Sequence, residues 1–520
     1  MQLTYLGHAG YCVETPDVTV VMDPWLSSEG AFDSAWFQFP RNHDLAPLVL
    51  DKLADPKKER FVYISHEHQD HFDLGFLSRL NCSDLTFIVP RFQRAALRSA
   101  IDGLRPKKLI ACGHGERVLI PGGEVTLYLE DSGLNRDSAI LLRLGGESFL
   151  NLNDCKLFDE LSRIVKDEGS ASVFSCQFSG ATWHPVCYDY SPQEYAEISR
   201  RKAASKFETV ARAIETVRPR IYLPSAGPPC FLDPMLMHLN FERSNVFPRA
   251  PQFLDYLERR LGNSSTRALE MMPGDTLNVS SGEWRAQGVE RPSEENLKEY
   301  LTCYAARYAY LFSERQRKPL LLELEALLER LSRELECKLS KLTLSERVDV
   351  PLYFGFSDAD APKIRIDFLN RAVEQVAAIS GNDFYTLEAP TWQVARVLDG
   401  HLTWEEFALT FRMRLNRRPD VYQTLIQGFL IMEPEDMNWF CARLLDIEQR
   451  RKRTVVEAGG MRYSIDRYCP HGGGDLTQGW PEDGRYWVCP RHRWQFDLEK
   501  AGQCLTSNTS INAVCLESDP

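Results

Sequence analysis

Ser65-His66-Glu67-His68-Gln69-Asp70-His71-Phe72-Asp73 follows directly on the apolar run Phe61-Val62-Tyr63-Ile64. The run is short, β-branched and aromatic, and reads as a buried strand. The stretch after it reads H-x-H-x-D-H, three imidazoles and a carboxylate within six residues. On a loop leaving a strand these donors can face two metal ions at once. His66 and His68 alternate as a pair for one ion, and Asp70 and His71 reach a second. A solvated polar turn is the plain alternative, but these residue types at this spacing are costly to collect by chance. Asp23 and His8 carry weaker signals. An aspartate at a strand end is often a turn former, and His8 is read equally as a ligand or as a residue that orients one.

Outward from this loop, strands alternate with helices over residues 1–290. Leu3–Leu6, Thr19–Met22, Phe61–Ile64, Leu85–Val89, Val125–Leu129, Ala139–Leu144 and Phe149–Leu152 read as strands bounded by turn formers. Phe92–Gly103 and the long amphipathic Pro192–Val217 read as helices, the second leading into a strand at Arg220–Leu223. The pattern predicts an α/β sandwich.

The far end of the chain carries a second set of donors. Cys469-Pro470-His471 and Cys489-Pro490-Arg491-His492 read C-x-H, a spacer of seventeen residues, then C-x-x-H. Two thiolates and two imidazoles on paired loops are what a Rieske 2Fe-2S centre needs, the cysteines on one iron and the histidines on the other. Gly472-Gly473-Gly474 lets a loop fold tightly, and Arg485–Val488 and Trp494–Asp497 read as flanking strands. A Cys2His2 zinc site would order its ligands differently. Such a cluster moves single electrons, so the first metal loop becomes a candidate to receive them.

The composition, 43% hydrophobic and 26% charged, is that of a soluble globular protein of several domains. A net charge of −12 with no basic stripe argues against nucleic acid as a partner. No apolar run is long enough to span a bilayer. The opening Met1–Gly7 reads as a strand and not as a signal peptide. The cysteines outside the cluster pair have no spaced framework and are expected as reduced, mostly buried thiols of a cytoplasmic protein.

The H-x-H-x-D-H loop is that of the metallo-β-lactamase superfamily, and residues 1–290 resemble its αββα sandwich. The resemblance implies that His66, His68, Asp70 and His71 are metal ligands with a catalytic role, and that Asp154, ending Phe149-Leu150-Asn151-Leu152-Asn153-Asp154, is a bridging ligand. Two histidines of that family are missing. One belongs within Glu130–Asp137 and the other within Leu223–Gly227. His184 is read either as a replacement metal ligand or as a substrate-pocket residue. A metallo-β-lactamase-like domain in one chain with a Rieske domain resembles the CMP-N-acetylneuraminate hydroxylase family. The carrying segments are Gly133–Ile140, Leu152–Cys155, Phe178–Ala181, Arg218–Gly227 and Pro419–Gln423. That family carries its Rieske module at the N-terminus, whereas here it is C-terminal.

Between the two ends, residues 291–345 read as a helical connector, with Glu294–Phe312 and Lys318–Leu342 amphipathic and Leu320, Leu321, Leu324, Leu327, Leu328 and Leu331 at helical spacing. Residues 346–445 read as an α+β module that weakly resembles sterol-carrier-like domains: strands within Val348–Ile364, then helices at Thr391–Leu398 and Thr403–Asn416 with Arg412 and Arg414 facing out. Its role is read as capping the metal pocket, dimerising, or holding the Rieske domain. Residues 446–520 are the all-β Rieske domain, reached through a basic linker, Asp446–Arg453.

The leading functional expectation is an iron-dependent mono-oxygenase. Zinc has no redox chemistry and no use for a tethered cluster, whereas imidazole and carboxylate ligands with open positions suit non-haem iron. Electrons are expected to reach the Rieske cluster from a reductase, ferredoxin or b-type cytochrome. They then pass to one or two irons at the first loop, where O2 supplies an oxygen atom to a C–H or N–H bond of a small polar substrate. A nucleotide-sugar, an amino acid and a natural-product intermediate all fit, and homo-oligomerisation is left open. The alternatives are a metallohydrolase with a redox-sensing Rieske domain and a non-catalytic electron-transfer protein.

Overall fold

The computed structural model describes all residues except 133, 135, 181, 263, 288–290, 316–320, 451 and 517–520. Leu320 of the leucine stripe, Gly133, Asn135 and Ala181 of the resemblance segments, and Arg451 of the basic linker therefore lie outside the described residues.

Two twisted sheets face each other in the first part of the chain. One has eight strands, in the spatial order Trp284–Arg285, Thr276–Asn278, Gln2–Gly7, Gly10–Glu14, Val18–Met22, Glu59–Tyr63, Thr86–Pro90 and Lys108–Cys112. The other has seven, in the order Arg267–Ala268, Ile221–Ser225, Val173–Gln177, Glu147–Asn151, Arg136–Leu144, Gly123–Asp131 and Glu116–Ile120. Their inner faces make one core, in which Leu3, Tyr11, Val13 and Val20 meet Val125, Leu127, Ile140 and Phe149. Helices cover the outer faces: Ala46–Ala54 and Ala96–Asp102 on the first sheet, and Leu161–Glu168, Pro192–Val217 and Ala250–Leu261 on the second. This is an αββα metallo-β-lactamase-like sandwich.

The long helix starts where its sequence demands. Ser191 accepts from the Glu194 amide and the Glu194 carboxylate accepts from the Ser191 amide, with Pro192 at the first helical position. Phe92–Gly103 yields a shorter helix, Ala96–Asp102.

The middle of the chain departs further from its sequence pattern. The expected helix Glu294–Phe312 is interrupted at Arg307–Tyr308, giving Leu297–Ala306 and Ala309–Arg315. Thr403–Asn416 is not one helix. Helix Trp404–Leu409 ends as the Thr410 hydroxyl donates to the Phe407 carbonyl and Phe411 takes a left-handed φ of 56°, after which Arg414–Arg418 is an edge strand. Arg412 does not face out. It is 2% exposed, and its Nε donates to Asp233 at 2.7 Å. The strand belongs to a five-stranded sheet, Ala372–Val376, Lys363–Asp367, Leu352–Phe356, Phe384–Ala389 and Arg414–Arg418 in spatial order. A single apolar core joins this module to the sandwich, with Trp25, Phe32, Trp36 and Phe231 beside Leu331, Phe354, Trp404, Phe411 and Phe429.

The first half of the expected basic linker is the end of helix Met437–Gln449, and Arg443 and Arg450 both pair with Asp446. The C-terminal module has a three-stranded and a four-stranded sheet around its own core of Val456, Ile465, Leu476, Trp487 and Phe496. None of the fourteen cysteines is in a disulfide, and most of them are buried. No helix among the described residues is long and apolar enough to cross a membrane.

Candidate metal centres and their junction

The H-x-H-x-D-H loop leaves the strand Glu59–Tyr63 at the mouth between the sheets, and the chain brings further donors to it. Ligand atoms of His8, Asp70 and His71 converge within 4.8 Å of one another, and so do those of His66, His71 and Asp154. The two groups share His71. Its Nε2 lies 2.9 Å from Asp154 Oδ1 and 3.8 Å from Asp70 Oδ2, while His8 Nε2 lies 3.0 Å from Asp70 Oδ2. His66 Nε2 and His68 Nδ1 face each other at 2.9 Å.

Four atoms of this cluster, His8 Nε2, Asp70 Oδ1, His71 Nε2 and Asp154 Oδ1, are buried without a properly oriented hydrogen bond. Buried polar atoms are almost always bonded. Imidazole and carboxylate atoms that converge without hydrogen-bond geometry fit a cation. Outer contacts fix the rings, as expected around metal ligands. Asp23 lies 2.8 Å from His71 Nδ1, and Ser65 donates to Asp23 at 2.7 Å. Asp137 Oδ1 lies 3.3 Å from His66 Nδ1. Burial pulls the His71 pKa down, but Asp154 and Asp70 outweigh it and hold it well above the usual range. Burial, His71 and His68 drive His66 well below it.

His8 brings a further imidazole to the cluster. Leu223–Gly227 has none, but Ala226 N and Ser225 Oγ both donate to the His8 carbonyl, at 2.9 and 3.2 Å. The segment holds the backbone of the residue that delivers the imidazole. Asp137 occupies the other stretch lacking a histidine, and its only sequence signal was a carboxylate entering a buried strand. His68 belongs to neither convergent group. Its Nε2 lies 3.4 Å from Glu405 of the α+β module, which outweighs burial and lifts its pKa to about 9. Glu405 also pairs with Arg136, and Gln69 donates to Glu406 at 2.9 Å. The α+β module thus covers the loop. His184 is not brought to the cluster: its Nε2 bonds the Tyr190 hydroxyl at 2.9 Å, and its ring packs on Tyr188.

The second donor set also converges. Cys469 and Cys489 are fully buried with their thiols in contact, and the Nδ1 atoms of His471 and His492 lie 3.2 Å apart. A Cβ on Gly472 would meet His492 at 2.9 Å, which explains the glycine beside the ligand loops. Trp494 stacks on His471 at 4.2 Å.

Sequence reasoning missed the junction between the two centres. His492 Nε2, on the far side of the ring from the convergent nitrogens, lies 3.4 Å from Glu130 Oε1. Glu130 Oε2 accepts from the Lys156 amide at 3.0 Å, two residues past Asp154. Burial would raise the Glu130 pKa, but His492, Arg491 and Lys156 bring it to about 2. Beside it, Arg491 binds Asp159 through two nitrogens at 3.0 and 2.8 Å.

Residues 2–128 match the beta-lactamase superfamily domain and residues 442–514 match the Rieske 2Fe-2S domain. The chain therefore joins a metallo-β-lactamase-like domain to a C-terminal Rieske domain. Its relatives include a protein of Mycobacterium tuberculosis described as a Rieske 2Fe-2S iron-sulfur protein, 27% identical over 98% of both chains. They also include the cytidine monophosphate-N-acetylneuraminic acid hydroxylase of Mus musculus, 26% identical over 44% of this chain and 39% of that protein. Among solved structures, CmlA, a diiron β-hydroxylase from Streptomyces venezuelae, is 15% identical over 53% of this chain and 54% of its own, with a TM-score of 0.34.

Proposed function

We propose that this protein is a Rieske-dependent non-haem iron oxygenase acting on a small polar substrate. The observation that carries the reading is the junction at Glu130, which touches a cluster-loop histidine on one side and the Asp154 loop on the other. A hydrolase without a redox sensor has no use for such a junction.

On this reading Cys469, Cys489, His471 and His492 hold a 2Fe-2S cluster, and His66, His68, Asp70, His71 and Asp154, joined by His8, hold one or two irons. Bound iron supplies oxygen activation, with one oxygen atom going to a C–H or N–H bond and the other to water. The chain's own residues do the rest. Asp23 and Asp137 fix the ring orientations of His71 and His66. The α+β module closes over His68 through Glu405 and limits access of water. Glu130 holds the ring of His492 against the metal loop. The chain divides at 1–290, 291–345, 346–445 and 446–520. Electrons come from a reductase, ferredoxin or b-type cytochrome in the cytoplasm.

The test is iron content, oxygen uptake with a one-electron donor, and reoxidation of the reduced cluster followed by EPR. Iron beyond that of the cluster and donor-dependent oxygen uptake are expected. Glu130→Ala should slow cluster reoxidation at least tenfold while the Rieske spectrum persists. Zinc at the first site, with no oxygen uptake, would favour the metallohydrolase reading instead.

A further inference from the structure

We propose that Lys202, Lys206 and Arg493 form an anion-binding subsite between the long helix of the sandwich and the Rieske module, and that the substrate carries a carboxylate or phosphate group. The assignment of a substrate rests on the oxygenase reading; the subsite itself does not.

Lys202 and Lys206 are four residues apart on helix Pro192–Val217 and share one face. Lys206 is 4% exposed, and its ammonium has only neutral partners. It donates to Gln177 Oε1 at 2.8 Å and lies 5.9 Å from the centroid of the Phe158 ring. Lys202, half-buried, donates to the backbone carbonyl of His184 at 3.0 Å. Arg493 follows the cluster-loop His492 with a left-handed φ of 60°, and its Nη1 is buried without a hydrogen-bond partner. Among the described residues none of the three has a carboxylate at ion-pair distance. Arg136 and Arg412, buried elsewhere in the protein, and Arg491, two residues from Arg493, each face one.

Arg493 is the strongest charge acting on both lysines, and Lys206 also feels Lys156 and Asp154. Burying like charges together is costly unless a counter-charge is supplied. Asp154 is committed to His71; burial pushes both lysines toward their neutral form, and an anion bound here would draw the protons back and supply the missing counter-charge. The subsite adjoins the first metal cluster, because the Gln177 amide donates to Asn153, the residue before Asp154. A cavity of about 330 Å³ bordered by Gln69 and Tyr308 is a weaker candidate. Its cation, Arg396, already pairs with Asp33 at 2.9 Å.

Because Arg493 neighbours His492, an anion held here touches both modules and should perturb the cluster. The experiment uses the iron-loaded full chain without oxygen or electron donor for calorimetric titration, and the reduced protein for EPR, with inorganic phosphate and malonate as separate probes. Saturable single-site binding of at least one probe is expected, with a shift of the Rieske signal. Binding of phosphate alone indicates a phosphate ester, and of malonate alone a carboxylate. Lys202→Met with Lys206→Met, and separately Arg493→Gln, should weaken binding at least tenfold. Methionine removes a buried unpaired charge, so the lysine variant should melt no lower than wild type, and lost binding is then not lost folding. No saturable binding of either probe, or unchanged affinity in the lysine variant, overturns the subsite while leaving oxygen uptake to judge the oxygenase reading. Saturable binding in a protein that takes up no oxygen keeps the subsite and overturns that reading.

Discussion

Lys202 is a cation in the wrong company. Burial, then Arg493, Arg417 and Arg201, push its pKa down to about 7, whereas in an unfolded chain a lysine titrates near 10.4. Between those values the folded state binds fewer protons than the unfolded state, so stability contributed at this position rises with pH. Below the window both states are protonated and the full cost of the buried charge is present; above it both are neutral. Replacement by methionine should therefore stabilise the protein most in acid, and the advantage should shrink as the pH rises. Urea midpoints of wild type and Lys202→Met at about pH 6.5 and about pH 9.5 check this. A gap between the two proteins that stays constant would mean that Lys202 does not titrate in this window.

The elements were legible in the sequence to the degree that they carry a strong period. Pro192–Val217 has a capping box, a proline start and an apolar stripe, and its limits match the expectation. The stretch around Arg412 has no such guide. A charged residue at helical spacing normally faces water, so Thr403–Asn416 read as a helix with arginines outside. Tertiary partners decide otherwise: Asp233 and the Gln393 amide oxygen both take hydrogen bonds from Arg412, and the chain turns at Phe411 to deliver it. Arg412→Leu should destabilise the protein by about 3–5 kcal/mol, because it leaves Asp233 buried and uncompensated. Adding Asp233→Asn should recover part of that loss in the same denaturation assay. The metal loop was legible for another reason, since its donors are contiguous. Asp137, Glu130 and Arg493 were not, because each acquires its role only from a residue far away in sequence, and His8 was legible only as either a ligand or a residue that orients one. Edge strands such as Glu116–Ile120, with mixed polarity, also escaped the pattern.

On the scale of the whole molecule, the two joints differ in kind. The sandwich and the α+β module share one apolar core. The Rieske module has its own core, and its recorded ties to the sandwich include the Arg491–Asp159 pair, the His492–Glu130 contact and the bond from the Asp475 amide to Asp159. Residues 450–520, which begin after helix Met437–Gln449, produced as a separate chain and loaded with iron, should fold, show a Rieske EPR signal and rebind residues 1–449 with an affinity that falls as salt is raised. Asp159→Asn should weaken that rebinding at least tenfold, measured by titration calorimetry. Salt-independent association, or a fragment that fails to hold its cluster, would show that the joint is apolar or that the module does not stand alone.

A unit with a private core, tied to its neighbours by ion pairs and by the packing of Tyr422 on His471 and Trp494, is portable. Its position along a gene is free so long as its docking face reaches Asp159 and Glu130, whereas a break between the sandwich and the α+β module would leave two halves of one core facing water. A chain of this kind can move its electron-carrying end from one terminus to the other in a single genetic event and keep the same neighbours in space. The terminus at which the cluster is encoded then records the history of the gene, and on the oxygenase reading the Glu130 junction is the part that must stay in place.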